Sequence, residues 1–314
     1  MNCKIAIVTA IYHPNTKYLS EQIESYETQT CKDFHVLFII SDLQSNVLVR
    51  EIACRYSFDY TIIMPNQPLG PREAFGYGIQ EIISKQMPVE YIALSDQDDI
   101  WLPNKLESLL SKAKLTNASL VHSNAMIIDQ SRHILKSEYW KQSHRDQTNL
   151  DLLCFRNCVI GMTSMFTVET ARLSIPFLPN TDVEPLHDWL LAIAAGMIGR
   201  IEYIDAGLVL YRQHDNNVIG ANVRNVTTQI TQLPSKIIFA WNWANCTQPV
   251  IQSTLTEIMH RSRLLDVPII NVPLPLKRYN IRFFVLIWHF IKKGSLFGLL
   301  GVLVHIFKNK RNAQ

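Results

Sequence analysis

The chain has 314 residues, 47% hydrophobic and 18% charged, which fits a folded globular protein with a sizeable core in one large domain or two small ones. A formal net charge of +3 is too small to argue for a nucleic-acid partner. Of the six cysteines only Cys154 and Cys158 are close, with no second pair to complete a zinc site, so they read as reduced thiols of a cytosolic protein.

The apolar run from Ile5 to Ala10 predicts a buried strand almost at the first residue, with no secretory leader before it. Tyr18 to Thr28 has helical spacing, and Phe34 to Ile40 is a second strand. Val47 to Tyr56 reads as helix, Tyr60 to Met64 as strand, Glu73 to Ser84 as helix, and Tyr91 to Leu94 as a fourth strand. This alternation predicts an α/β fold with a mostly parallel sheet and helices on both faces. Ligands of such sheets bind beyond the carboxyl ends of the strands. The predicted ends carry Thr9 to Tyr12, Ser41-Asp42, Pro65-Asn66 and Ser95 to Asp99, all polar or aromatic except Ala10, Ile11 and Pro65.

Pro103 predicts a helix start, running to Leu115. Leu120 to His122, Ala125 to Ile128 and Met162 to Val168 read as strands. Asp188 to Met197 is a helix, followed by strands at Arg200 to Ile204 and Leu208 to Tyr211. The mixed order reads as an extension of one sheet rather than a second domain.

From residue 223 the character changes to helical stretches at Thr228 to Trp243 and Pro249 to Leu265, then a proline-rich joint. Phe283 to Ile291 and Leu296 to Phe307 are apolar, split by Lys292-Lys293 and closed by Lys308, Lys310 and Arg311. Neither reaches the roughly twenty apolar residues of a spanning helix. Residues 283–311 are therefore expected to lie on a membrane surface, with core or oligomer-interface helices as the competing reading.

The densest chemistry is Asp96-Gln97-Asp98-Asp99, directly after a buried strand. Carboxylates this close repel, so one is protonated or a cation holds them. Mg²⁺ or Mn²⁺ takes oxygen ligands and keeps substrate phosphates in its shell, so a divalent cation bridging a diphosphate fits the spacing. The bland alternative is an acidic loop capping the next helix, which Asp99 alone would satisfy. Asp188, heading a predicted helix after Pro185, is likewise either a helix cap or a base. No Gly-x-Gly-x-x-Gly follows the first strand and no Walker loop occurs, which counts against dehydrogenase and P-loop chemistry.

The run Ser95-Asp96-Gln97-Asp98-Asp99-Ile100-Trp101 resembles the family 2 glycosyltransferases, inverting enzymes of the GT-A fold, and in particular bacterial rhamnosyl- and galactosyl-transferases of surface polysaccharides. The resemblance spans residues 4–220 and implies a GT-A domain at 1–222 with a helical extension at 223–314. It implies that Thr9 and Tyr12 contact the nucleotide, Tyr12 by stacking on the base. Ser41-Asp42 resembles an Asp pair of which only Asp42, the base contact, carries over. Asn66 and Arg72 fall in the loop expected to touch the donor. Asp96 is then a donor contact, Asp98 a metal ligand, and Asp188 the base that deprotonates the acceptor hydroxyl. Tyr211-Arg212-Gln213-His214 resembles the element that closes over the diphosphate, with Arg212 on phosphate and His214 on the metal or the diphosphate.

The implied partners are a nucleoside-diphosphate sugar and a glycan acceptor, lipid-linked ones included, at the inner face of the cell membrane. Two rivals stay open: a Mg²⁺-dependent phosphotransferase using the Asp-x-Asp, and a non-catalytic protein that binds sugar nucleotides.

Overall fold

The computed structural model describes residues 4–140, 148–154, 157–174, 187–214 and 250–272. Its first strand, β1 (Ile5–Ile11), is apolar on both faces because it lies between layers. Ile5, Ile7 and Ile11 point into one core, and Ala6 and Val8 into the other. The period of two repeats in β2 (Phe34–Ile40), where Phe34, Val36, Phe38 and Ile40 face the first core and Leu37 and Ile39 the second. Helices cover both cores. On the first lie α1 (Thr16–Glu27), α2 (Leu43–Ala53) and α4 (Lys105–Thr116); on the second lie α3 (Pro71–Ser84), α6 (Val168–Ser174) and α7 (His187–Ile198).

The remaining strands are β3 (Asp59–Ile63), β4 (Tyr91–Ser95), β5 (Ile100–Trp101), β6 (Ala118–Ile128), β7 (Ile134–Lys136), β8 (Ser164–Thr167) and β9 (Arg200–Arg212). They form one nine-stranded sheet in the order β3-β2-β1-β4-β8-β6-β9-β5, with β7 paired to β6. The pairs β1–β2, β2–β3, β1–β4 and β6–β9 are parallel. Because β8 is antiparallel to both β4 and β6, the strands β1, β2, β3, β4, β6 and β9 all point the same way. Their carboxyl ends therefore share one rim. The reversed strand β8 brings its amino end, and the short 3-10 turn Gly161–Thr163 before it, to that same rim.

Caps account for several boundaries. Asn15 accepts the N–H groups of Lys17 and Tyr18 at the head of α1. Pro71 occupies the first turn of α3, and Glu73 accepts the Gly70 N–H at 3.0 Å. Asn117, in the left-handed region at φ 50°, ends α4. Gly78 lets α3 lie against the sheet: a Cβ there would sit 2.4 Å from Val8 Cγ1.

Three expectations are corrected. The helix after the Asp cluster starts at Lys105, because Ile100–Trp101 first pairs with β9. The two short strands at 120–128 are one strand, and so are the two at 200–211. Register shifts between Ser123 and Asn124 and between Asn124 and Ala125 absorb the polar interruptions without ending the ladder. Helix α2 starts at Leu43 because Asp42 caps it, accepting the Ser45 N–H at 2.7 Å.

A further helix, α8, spans 250–264. The chain after it docks on the end of α7, where Ile270 and Asn271 donate backbone N–H groups to the Met197 carbonyl. No helix among the described residues is long and apolar enough to cross a membrane. Residues 283–311 and the expected helix at 228–243 lie outside the described residues.

Candidate active site at the carboxyl rim

The loop Asp96–Asp99 leaves β4 beside β1 and is held from below by one face of α1. Ser95 is fully buried, and its hydroxyl donates to the Asp96 carbonyl at 3.1 Å. It accepts from Gln22 Nε2 at 2.5 Å and from Tyr26 Oη at 2.7 Å. With the Tyr26 proton committed to Ser95, Thr9 Oγ1 donates to Tyr26 Oη at 2.8 Å. Burial pushes the Tyr26 phenol up to about 12, so it stays a neutral donor.

This network reassigns Thr9. The expected nucleotide contact is wholly buried under α1, and its hydroxyl is spent on Tyr26. Tyr12, three residues beyond Thr9 and just past the end of β1, does reach the surface at 49% exposure. Gln97, the middle residue of the Asp-x-Asp, clasps it: Gln97 Oε1 accepts the Tyr12 N–H at 2.8 Å, and Gln97 Nε2 donates to the Tyr12 carbonyl at 3.0 Å. Asp42 lies at the adjacent strand end, where its Oδ2 accepts the Ser45 hydroxyl at 2.6 Å and the His13 N–H at 3.5 Å. It is a helix cap that keeps partial exposure. Asn66 is exposed past the end of β3, and Arg72 is the second residue of α3. The Ser41 hydroxyl ties this loop to β2 through the Leu69 N–H at 3.3 Å.

The carboxylates divide by environment. Asp98 Oδ2 lies 2.7 Å from His214 Nε2, and the imidazole stacks on Tyr18 at 5.5 Å between centroids. Burial, then the charges of Asp98 and Asp188, push the Asp96 carboxyl up to about 7. Asp99 does not cap α4. It is fully buried, accepts the Arg212 backbone N–H at 3.1 Å, and leaves Oδ2 without a partner among the described residues. Burial and its two acidic neighbours raise its pKa well above the ordinary range.

Arg212 also departs from its expected place on phosphate. Its side chain has no exposed surface. The guanidinium donates to the Asp98 carbonyl at 2.9 Å and the Gln130 carbonyl at 3.3 Å, pairs with Glu21, and lies 4.4 Å from the Tyr18 ring centroid. It is a tether joining α1, the Asp loop, the turn after β6 and the end of β9. The exposed Arg132 pairs with the other Glu21 oxygen at 2.5 Å. Together the two arginines hold the Glu21 carboxyl below its usual range, against the upward push of its own burial.

Asp188 is the second residue of α7, buried, with Oδ1 accepting the Trp189 N–H at 2.7 Å. The absence of a side chain on Gly161 admits this helix end: a Cβ there would lie 3.0 Å from His187 Nε2 and 3.8 Å from Asp188 Cβ. Asp188 thus reaches the carboxyl rim by a different route from the Asp loop, yet its charge is felt by Asp96 and by Tyr139. Tyr139 and Trp140 are half-buried, in an edge-to-face pair at 4.9 Å. Asn124 grips Trp140 by both ends of its amide, at 3.0 and 3.2 Å.

Asp98 and His214 offer one carboxylate oxygen and one imidazole nitrogen. That set fits Mg²⁺ or Mn²⁺, ions that complete their shell from water and substrate phosphates. Among the described residues, no group of three or more His, Cys, Asp or Glu side chains forms a closed protein cage for a metal. The rim therefore gathers the Asp98–His214 pair and, by the separate route of α7, the buried Asp188 carboxylate. Sequence reading missed Tyr18, Glu21, Gln97 and Lys105. The α1 residues carry a weak signal, since Tyr18, Gln22 and Tyr26 recur at helical spacing beside the apolar stripe Leu19 and Ile23.

Comparison with known proteins agrees with this geometry. The family model for glycosyl transferase family 2 matches residues 6–170. The chain is 29% identical over 215 residues to the dTDP-rhamnosyl transferase RfbG of Shigella flexneri, covering 66% of this chain and 72% of that protein. It is 21% identical over 213 residues to the O-antigen biosynthesis glycosyltransferase WbnJ of Escherichia coli, covering 68% and 81%. The fold is similar to that of S. aureus TarS 1-349 in complex with UDP-GlcNAc, with a TM-score of 0.54, 14% identity, and 99% and 92% of the two chains covered.

Proposed function

The chain belongs to glycosyl transferase family 2, and from that premise we propose that it moves a sugar from a nucleoside-diphosphate donor to a hydroxyl of a growing bacterial surface glycan, with inversion and with the help of a divalent cation. The observation that carries this reading is the convergence, on one rim, of Asp96 and Asp98 with His214 from the end of the sheet and Asp188 from the head of α7.

Asp98 and His214 would hold the cation, which when bound would offset the charge that develops on the leaving diphosphate. Asp96 orients the donor beside it. Tyr12 and Asp42, at the ends of the first two strands, receive the nucleotide, with Asn66 and Arg72 on the donor side. Arg212 keeps the loop and His214 in register. Asp188 accepts the proton of the acceptor hydroxyl as the new oxygen–carbon bond forms and the bond to the diphosphate breaks. Attack from the face opposite the leaving group inverts the anomeric centre.

Residues 1–222 form the catalytic domain in this reading, and the apolar, basic run 283–311 suits attachment at the inner face of the cell membrane, close to lipid-linked acceptors. The relative named for dTDP-rhamnose transfer makes that donor the first to test. Nothing at the rim, among the described residues, favours the phosphotransferase reading.

The test is release of nucleoside diphosphate from a panel of sugar nucleotides in the presence of membrane glycolipid extract and Mn²⁺. Release from one donor, lowered about 10²- to 10⁴-fold in Asp188→Asn, is expected for loss of a general base. Release of inorganic phosphate instead, or full activity in Asp188→Asn, contradicts the proposal.

A further inference from the structure

Lys105 opens α4, four residues after Trp101, the last residue of the run Ser95 to Trp101. A lysine at that position ordinarily extends into water. Here it is fully buried. Its Nζ donates to the Met162 carbonyl at 2.6 Å and lies 3.0 Å from the Trp101 ring centroid. Burial pushes its pKa well below the ordinary lysine range, against the smaller upward pull of Asp99 and Asp96. Met162 is the middle residue of the turn Gly161–Thr163, and Gly161 is where α7 brings in His187 and Asp188. One side chain therefore stands between the carboxylate loop on the donor side and the turn that seats the proposed base on the acceptor side.

We infer that Lys105 is a positioning residue that fixes the Asp188-bearing helix against the donor loop, through its bond to the Met162 carbonyl. A buried amine that keeps its donor groups is costly to desolvate, and Met in its place would fill the volume at lower cost. Stability alone does not call for a lysine there. A role in geometry does. The inference rests on the proposed transfer chemistry.

Lys105→Met keeps the length and shape of the side chain and removes both the donor and the charge. Mn²⁺ binding, followed by the electron paramagnetic resonance signal of free Mn²⁺ with no donor present, is expected to stay within about twofold, because the bond that is lost runs to the Met162 carbonyl and not to Asp98 or His214. The transfer kcat is expected to fall at least about tenfold while the donor KM stays within about twofold, since misplacing a catalytic group slows the step rather than binding. Lys105→Gln, which retains a donor group but not the charge, is expected to bind Mn²⁺ as Lys105→Met does and to recover part of kcat.

An unchanged kcat in Lys105→Met overturns the inference. So does a parallel loss of Mn²⁺ binding, kcat and folded fraction, which is what mere packing damage produces. Wild-type protein that binds no Mn²⁺ overturns the metal reading itself, and that failure is seen before any variant is made.

Discussion

His214 Nε2 and Asp98 Oδ2 lie 2.7 Å apart although 116 positions separate them in the chain. Their meeting requires β9 to run parallel to β6 and so to deliver its carboxyl end to the rim where β4 ends. Tyr18 stacks on the imidazole and fixes its plane. Replacing His214 with Ala removes one of the two side chains proposed to hold the cation but leaves Asp98 and Asp96 in place. The apparent Mn²⁺ affinity is expected to fall about 10- to 100-fold, the range seen when support of a metal site is lost. Titration calorimetry with Mn²⁺ measures it, and an unchanged affinity removes His214 from the metal.

Glu21 carries more of the site than its place on the first helix suggests. It is the carboxylate partner of the buried Arg212 guanidinium, and Arg212 in turn holds the Asp98 carbonyl. Glu21→Gln removes the charge that Glu21 offers to that guanidinium, and breaking a buried pair costs about 3–5 kcal/mol. The exposed Arg132 on the other oxygen puts the expected loss near the lower end, about 3 kcal/mol. Denaturant unfolding checks this. A loss below about 0.5 kcal/mol, as for a surface pair, would contradict the tether.

The pH dependence of the metal-free protein separates two buried groups. The Asp96 carboxyl is raised in the folded state to about 7, so the folded protein holds a proton that the unfolded chain releases near 4. Stability from this group is therefore full below pH 4 and lost as pH rises towards 7. His122 has the opposite slope: it is buried with neither ring nitrogen partnered among the described residues, and burial lowers its pKa to about 3. The unfolded chain takes up its proton near 6.5, so this contribution is full above 6.5 and lost as pH falls towards 3. Thermal unfolding of His122→Phe is expected to retain the decline between pH 4 and 7 and to lose the acid-side decline. Addition of Mn²⁺ is expected to raise the melting temperature more at pH 8 than at pH 5. Equal shifts at both pH values contradict a cation held by these carboxylates.

Much of the fold is legible from strand period and caps, because β1 and β2 are covered on both faces and their apolar runs are nearly unbroken. The polar interruption at Ser123-Asn124 misleads, since a bulge and a chain break look alike in one dimension. Asp98 and Asp188 announce themselves by residue type and position. Thr9 was also legible: a period of two puts it on the face of Ile7 and Ile11, under α1 rather than at the ligand. Arg212 was not, because its role depends on Glu21, 191 positions earlier. Nor was Lys105, whose burial follows from the pairing of β5 with β9 and the turn at Met162, neither of which leaves a local pattern.

The central claim is that this rim binds a nucleoside-diphosphate sugar through a cation at Asp98 and His214. Calorimetric titration with dTDP-rhamnose and a panel of UDP-sugars, run with Mn²⁺ and with chelator, for wild type and Asp98→Ala, tests it most directly. One donor is expected to bind wild type at least about tenfold more tightly with Mn²⁺ than without, and Asp98→Ala is expected to lose that difference. Equal donor affinity with and without Mn²⁺, or a Mn²⁺ effect that survives in Asp98→Ala, would contradict the account.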